Sequence, residues 1–122
     1  MSKLLWYILW VCIVVNIAIL FPIARVLGNS MYPTLKNGQV LLCSKVSVKL
    51  GIFKEGHIYV YHSPSDYDKF VIKRLIEKRG NDLYFLGDNP SESLDSRDYG
   101  YVKTENIIAK VLFYRPQIKK EV

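Results

Sequence analysis

At 122 residues, half of them apolar, the chain has room for one small hydrophobic core and not for a second domain of similar size. Its formal net charge is +6, but apart from Lys119-Lys120 the basic residues are dispersed, which excludes a nucleic-acid footprint of clustered arginines and interleaved aromatics. Ordinary solubility and attraction to anionic lipid head groups remain as roles for that charge, and two cysteines without zinc-type spacing exclude a disulfide scaffold or a zinc site.

The first element in chain order is apolar. The 21 residues between Lys3 and Arg25 carry no charge. As a helix, 20 such residues span about 30 Å, the thickness of a bilayer core. Asn16 is the one strongly polar side chain, and Trp6, Tyr7 and Trp10 lie near one end, where aromatic belts form. Pro22 and Arg25 mark where the run stops. A cleaved secretory signal has a shorter apolar core and a small-x-small site after it, whereas Ala18 and Ala24 stand isolated, so a retained anchor is expected. Lys3 before the span and Arg25 after it nearly balance, and the very short amino-terminal tail is expected to stay on the cytoplasmic side. The chain thus divides into an anchor, residues 1–25, and a domain, residues 26–122.

Short strands and turns fill the domain. Residues 38–46 are rich in β-formers and follow an Asn37-Gly38 turn signal. Ile58–His62, residues 70–77, residues 83–86 and residues 107–114 are further strand candidates, the last bounded by Pro116. Arg79-Gly80-Asn81-Asp82 reads as a tight turn, and residues 87–100 as a long polar loop of the kind that is often functional. The pattern predicts a mainly β domain, a small folded-over antiparallel sheet. Cys12 falls in the anchor and Cys43 in the domain, and both read as apolar packing residues.

Three segments carry chemistry. Strand alternation puts Val71, Lys73 and Leu75 on one face, so Lys73 has apolar neighbours on its own side. To be half neutral at pH 7, a lysine must come down from about 10.4, a preference for the neutral amine of about 4.6 kcal/mol. Burial in an apolar setting can supply that; taken alone, Lys73 is more simply an exposed lysine with a snorkelling stem. Ser30 follows Gly28, which permits close backbone approach, and precedes Pro33, which fixes a turn. A hydroxyl needs a base beside it to act as a nucleophile, and Ser30 by itself reads more simply as a turn or cap residue. Met31 and Tyr32 suit either a small apolar pocket or the core. In the loop, Asp95 and Arg97 suit an ion pair, Ser93 can accept a hydrogen bond from Lys73, and Asp88 and Asn89 read as turn formers.

The anchor, Ser30-Met31-Tyr32-Pro33-Thr34-Leu35, Val71-Ile72-Lys73-Arg74 and Gly87-Asp88-Asn89-Pro90-Ser91-Glu92-Ser93-Leu94-Asp95-Ser96-Arg97, in that order, resemble the type I signal peptidases, including the mitochondrial inner-membrane peptidases. The last motif is the most specific of the set. The resemblance implies a single transmembrane helix followed by a small antiparallel β catalytic domain of signal-peptidase type. It implies a serine endopeptidase in which Ser30 is the nucleophile and its amide an oxyanion donor, Lys73 the general base, Ser93 the hydroxyl that orients the lysine, and Asp95 and Arg97 a supporting pair. No metal or organic cofactor is implied. The implied partners are preproteins with signal peptides and the lipid bilayer, not nucleic acid, and the implied location is the cell or inner membrane, single-pass, with the catalytic domain on the non-cytoplasmic side. Whether a partner subunit is required stays open.

The chain departs from the family pattern in places. Gly28 stands where many bacterial members carry a hydroxyl that helps bind the oxyanion, an absence worth about 2.7–4 kcal/mol of barrier unless another group substitutes. His57 replaces a common acid and reads as structural, and Lys78-Arg79-Gly80 replaces a Pro-Gly turn. The Gly87-Asp88-Asn89-Pro90 variant resembles small dedicated maturation peptidases, such as those acting on nickel superoxide dismutase precursors. An inactive membrane-tethered binding or assembly module is the alternative that Gly28 keeps open. A self-cleaving repressor would need a DNA-binding domain where the anchor lies.

Overall fold

A computed structural model describes residues 2–114. Helix α1, Lys3–Leu20, starts at Ser2, whose hydroxyl accepts from the Leu5 amide. It is long and apolar enough to cross a membrane, and no residue along it is buried against the rest of the protein. Its polar side chain is satisfied internally, Asn16 Nδ2 donating to the Cys12 carbonyl at 2.8 Å. Pro22 ends the helix, since it has no amide to extend the ladder. The freed Leu20 and Pro22 carbonyls accept from Lys45 and Cys43 at 2.8 and 2.9 Å, which fastens the foot of the helix to the sheet.

The remaining elements are β1 (Ile23–Arg25), β2 (Val40–Ser44), α2 (Val46–Lys49), β3 (Ile58–His62), β4 (Phe70–Arg79), β5 (Asp82–Leu86), α3 (Ser96–Tyr99), β6 (Val102–Lys103) and β7 (Ile107–Val111). The strands form one seven-stranded sheet in the order β1-β2-β7-β3-β4-β5-β6, antiparallel throughout. The mainly β, folded-over architecture expected from the sequence is therefore present. β3 lies at its centre. Ile58 and Val60 point into a core with Met31, Leu35, Leu41 and Val111, while Tyr59 and Tyr61 point into a second with Leu75, Leu83 and Phe85, so the single core expected from the chain's length is divided in two by β3. A strand buried on both faces has no polar side, which is why this run reads as continuously apolar. Tyr61 stacks on Phe85 with ring centroids 4.5 Å apart, an arrangement worth about 0.5–1.5 kcal/mol beyond burial.

Several boundaries differ from the sequence reading. Ile23–Arg25, grouped there with the anchor, pair with β2 as the edge strand β1. Residues 38–46 yield only the strand Val40–Ser44, because the chain turns into α2 at Val46. β7 stops at Val111, and Phe113 takes a positive φ of 53° that ends extension. Loop 87–100 is partly ordered by a 3-10 turn, Pro90–Glu92, and by α3, whose capping box joins Asp95 and Asp98. Pro116 and Lys119-Lys120 lie outside the described residues.

Candidate active site

The loop after β1 carries Ser30. Gly28 opens it with φ 86°, a conformation natural to glycine, and its amide donates to Asn37 Oδ1 at 3.0 Å. Met31 and Leu35, both fully buried, pin the following turn to the core. Ser30 is thereby held at the rim, half-buried, and its own amide makes no hydrogen bond among the described residues.

Lys73 comes from the middle of β4, on the face shared with Val71 and Leu75, with Tyr59 opposite it on β3. It is 5% exposed. Its Nζ donates to Ser30 Oγ at 2.6 Å. Burial pushes the amine below its ordinary value, and the charge on Asp95 draws it part of the way back. A buried amine with one hydroxyl partner can lose its proton and then accept one from that hydroxyl.

Ser93 is placed differently from expectation. Its hydroxyl donates to Asp95 Oδ2 at 2.7 Å, and among the described residues no hydrogen bond joins it to Lys73. The fully buried Asp95 carboxylate outcompetes a neutral or partly charged amine because it must gather donors to remain ionised. It also accepts from the Gly87 amide at 2.9 Å, the Arg97 amide at 3.1 Å, and Arg97 Nε and Nη2 at 3.0 and 2.8 Å. Burial alone would raise this carboxyl, but the bonds from Arg97, Gly87 and Ser93 outweigh it and hold it well below the usual carboxylate range. Asp95 and Arg97 thus pair as expected, around a buried anion rather than on the surface.

Three features were not read from the sequence. Gly87 leaves β5 where Ser30 and Ser93 converge, and a β-carbon there would meet the Ser30 carbonyl at 2.7 Å as well as the Ser93 side chain. Arg74, one residue beyond Lys73 and on the opposite face, grips Asp88 with Nε and Nη2 at 2.9 and 2.8 Å. Thr34 Oγ1 donates to the same carboxylate at 2.5 Å, and the Asn89 amide donates to the Ser30 carbonyl at 2.8 Å. Asp88 and Asn89 therefore tie the 87–100 loop to the Ser30 turn, beyond their reading as turn formers. The paired Gly-Asp-Asn and Lys-Arg motifs were the available signal.

Ser30 and Lys73 open onto a groove of about 1060 Å³. Pro22 to Met31 form one wall, Phe70 to Lys73 another, and Val60, Leu94, Tyr99 and Ala109 contribute apolar and aromatic surface. Met31 lines it, whereas Tyr32 is exposed and lies outside it, because the turn that buries Met31 swings its neighbour outward.

The sequence matches the signal peptidase, peptidase S26, family over residues 1–83 and 79–115. It is 33% identical over 113 residues to mitochondrial inner membrane protease subunit 1 of Schizosaccharomyces pombe, covering 76% of this chain and 72% of that protein. It is 27% identical, over an alignment 158 positions long, to signal peptidase I of Bacillus caldolyticus, covering 88% and 86%. It is 32% identical over 95 residues to mitochondrial inner membrane protease subunit 1 of Xenopus tropicalis, covering 62% and 57%.

Proposed function

The chain belongs to the peptidase S26 family of signal peptidases, and on that footing we propose that it is a membrane-anchored serine endopeptidase whose Ser30 and Lys73 remove signal peptides from exported preproteins. The observation that carries this reading is the 2.6 Å contact between a buried lysine amine and a serine hydroxyl at the wall of a groove.

With the amine neutral, the same contact runs the other way: Ser30 O–H donates to the Nζ lone pair. As Ser30 Oγ bonds to the scissile carbonyl carbon, its proton moves to Nζ and the carbonyl electrons move onto oxygen. The free Ser30 amide donates to that oxyanion. The charged Nζ then protonates the leaving amine, the C–N bond breaks, and an acyl ester remains on Ser30. Neutral Lys73 next takes a proton from water as the water oxygen bonds to the ester carbon; the acyl C–Oγ bond then breaks, and Nζ returns that proton to Ser30 Oγ. Asp95, with Arg97 and Ser93, acts as a positioning group that holds the Gly87 amide and the loop around the dyad.

The substrate is a preprotein with an apolar targeting helix and small residues at the first and third positions before the cut. Its cleavage segment lies extended along the groove wall, with main-chain hydrogen bonds giving affinity. Met31 forms part of the pocket surface. Helix α1 holds the domain at the cell or inner membrane, on its non-cytoplasmic face. Confining enzyme and precursor to one surface raises their effective concentration.

The test is precursor cleavage by the full chain in membranes. Ser30→Ala and Lys73→Ala should each lower it by at least about a thousandfold, with unfolding midpoints near that of the parent. Processing by either variant at the parent rate would remove the proposal.

A further inference from the structure

Tyr61 and Tyr99 share one hydrogen bond through their hydroxyls, and either could donate. The surroundings decide which does. Tyr61 is 0% exposed, stacked on Phe85 in the core, and has no other hydrogen-bond partner among the described residues. Tyr99 is half-buried and lines the groove that Ser30 and Lys73 line. If Tyr99 donated, the Tyr61 proton would be stranded in an apolar core without an acceptor, and a buried donor left unpaired is strongly disfavoured. Tyr61 therefore donates to Tyr99. The Tyr99 proton is left over, and the groove is where it can be used.

Val60, Val71, Ile72 and Ala109 give the same groove apolar surface, and Ser30, Ser63, Lys73 and Glu92 are among its polar lining residues. A donor beside apolar surface discriminates between ligands that can accept from it and ligands that cannot. We propose that Tyr99 is a specificity-determining residue whose hydroxyl donates to a side-chain oxygen of the bound precursor, so that a residue with an acceptor, such as serine, is accommodated in the subsite it faces as well as an apolar one of similar size. This rests on the signal-peptidase reading of the groove. Tyr61 gives its own proton to the Tyr99 oxygen and has no part in the contact with the precursor.

The experiment uses the full chain in detergent micelles. The substrates are one precursor with alanine at the first and third positions before the cut, and two versions with serine at one or the other. The quantity measured is the ratio of kcat/KM for serine over alanine. Tyr99→Phe should lower that ratio about tenfold at one of the two positions, the loss of one oriented hydrogen bond. Tyr61→Phe breaks the same tyrosine–tyrosine bond and should shift the unfolding midpoint by a similar amount, yet keep the parent ratio. An unchanged ratio in Tyr99→Phe at both positions overturns the inference while leaving the peptidase reading intact. An equal fall in both variants also overturns it, because the effect would then belong to packing of the pair. Failure of the parent chain to cleave any of the three substrates removes the peptidase reading and this inference together.

Discussion

Gly87 and Ser93 approach so closely that a β-carbon on Gly87 would lie 2.6 Å from Ser93 Cβ. The Ser30 carbonyl stands 2.7 Å from the same point, so the obstacle includes backbone that cannot rotate away. Gly87→Ala must push the Ser30 turn and the Ser93 segment apart. Overpacking of this kind costs about 1–3 kcal/mol. The effect on chemistry should be larger, since a displacement of about 1 Å at a reacting group can cost about a hundredfold. Urea unfolding together with kcat/KM for a precursor checks both numbers. Parent-like cleavage by Gly87→Ala would show that the close approach has no bearing on the site.

Lys73 gives the protein a distinctive pH dependence. Burial lowers its amine in the folded state, with Asp95 opposing. Between that lowered value and the unfolded value of about 10.4, the unfolded chain binds a proton that the folded chain lacks. Stability therefore rises with pH across this window, by at most about 1.4 kcal/mol per pH unit, and the full penalty for burying the charge applies below it. Subtracting the curve for Lys73→Met isolates this slope from the contributions of every other titrating group. In the parent, kcat/KM should climb with pH through the same lowered value, because only the neutral amine can accept the Ser30 proton. Coincidence of the kinetic limb and the stability slope is the expected outcome. A flat difference curve would mean that the amine stays charged in the fold.

The parts of this picture legible in the sequence are those set by local pattern. Alternation places Val71, Lys73 and Leu75 on one face, and the structure keeps them there with Arg74 behind. The run Ile58–His62 has the boundaries of β3 because turn residues flank it on both sides. β1 and β6, of three and two residues, were not legible, since edge strands that short are defined by their partners rather than by their composition. The contact between Ser30 and Lys73 could only be suspected, because 43 positions separate them in the chain. The Ser93 bond ran to Asp95 instead of Lys73 for a reason that spacing cannot express: Asp95 is fully buried, and a buried carboxylate collects every donor in reach.

The Arg74–Asp88 pair couples the back of the lysine strand to the serine turn. Its side chains are only 10% and 3% exposed, and it is completed by Arg74 Nη1 on the Gly56 carbonyl at 2.6 Å and by Thr34 on Asp88. Removing one member of such a pair leaves an uncompensated charge in a poorly solvated place, which costs about 3–5 kcal/mol. Asp88→Ala should therefore be severely destabilising and should also loosen Thr34 and the Ser30 turn, so that cleavage falls even at temperatures where the variant is folded. Replacing both members by apolar residues of similar bulk removes the stranded charge as well as the pair. Arg74→Met combined with Asp88→Leu is thus expected to lose markedly less stability than the sum of the single changes, a coupling on the order of 1–3 kcal/mol in a double-mutant cycle. Such a protein should regain stability without regaining full activity, since Thr34 has lost its acceptor. Simple additivity of the two substitutions would show that the charges are solvated well enough not to depend on each other, and the tie to the Ser30 turn would then have to run through the bonds of Asn89 to Ser30 and Asn29 and of the Asp88 amide to Met31.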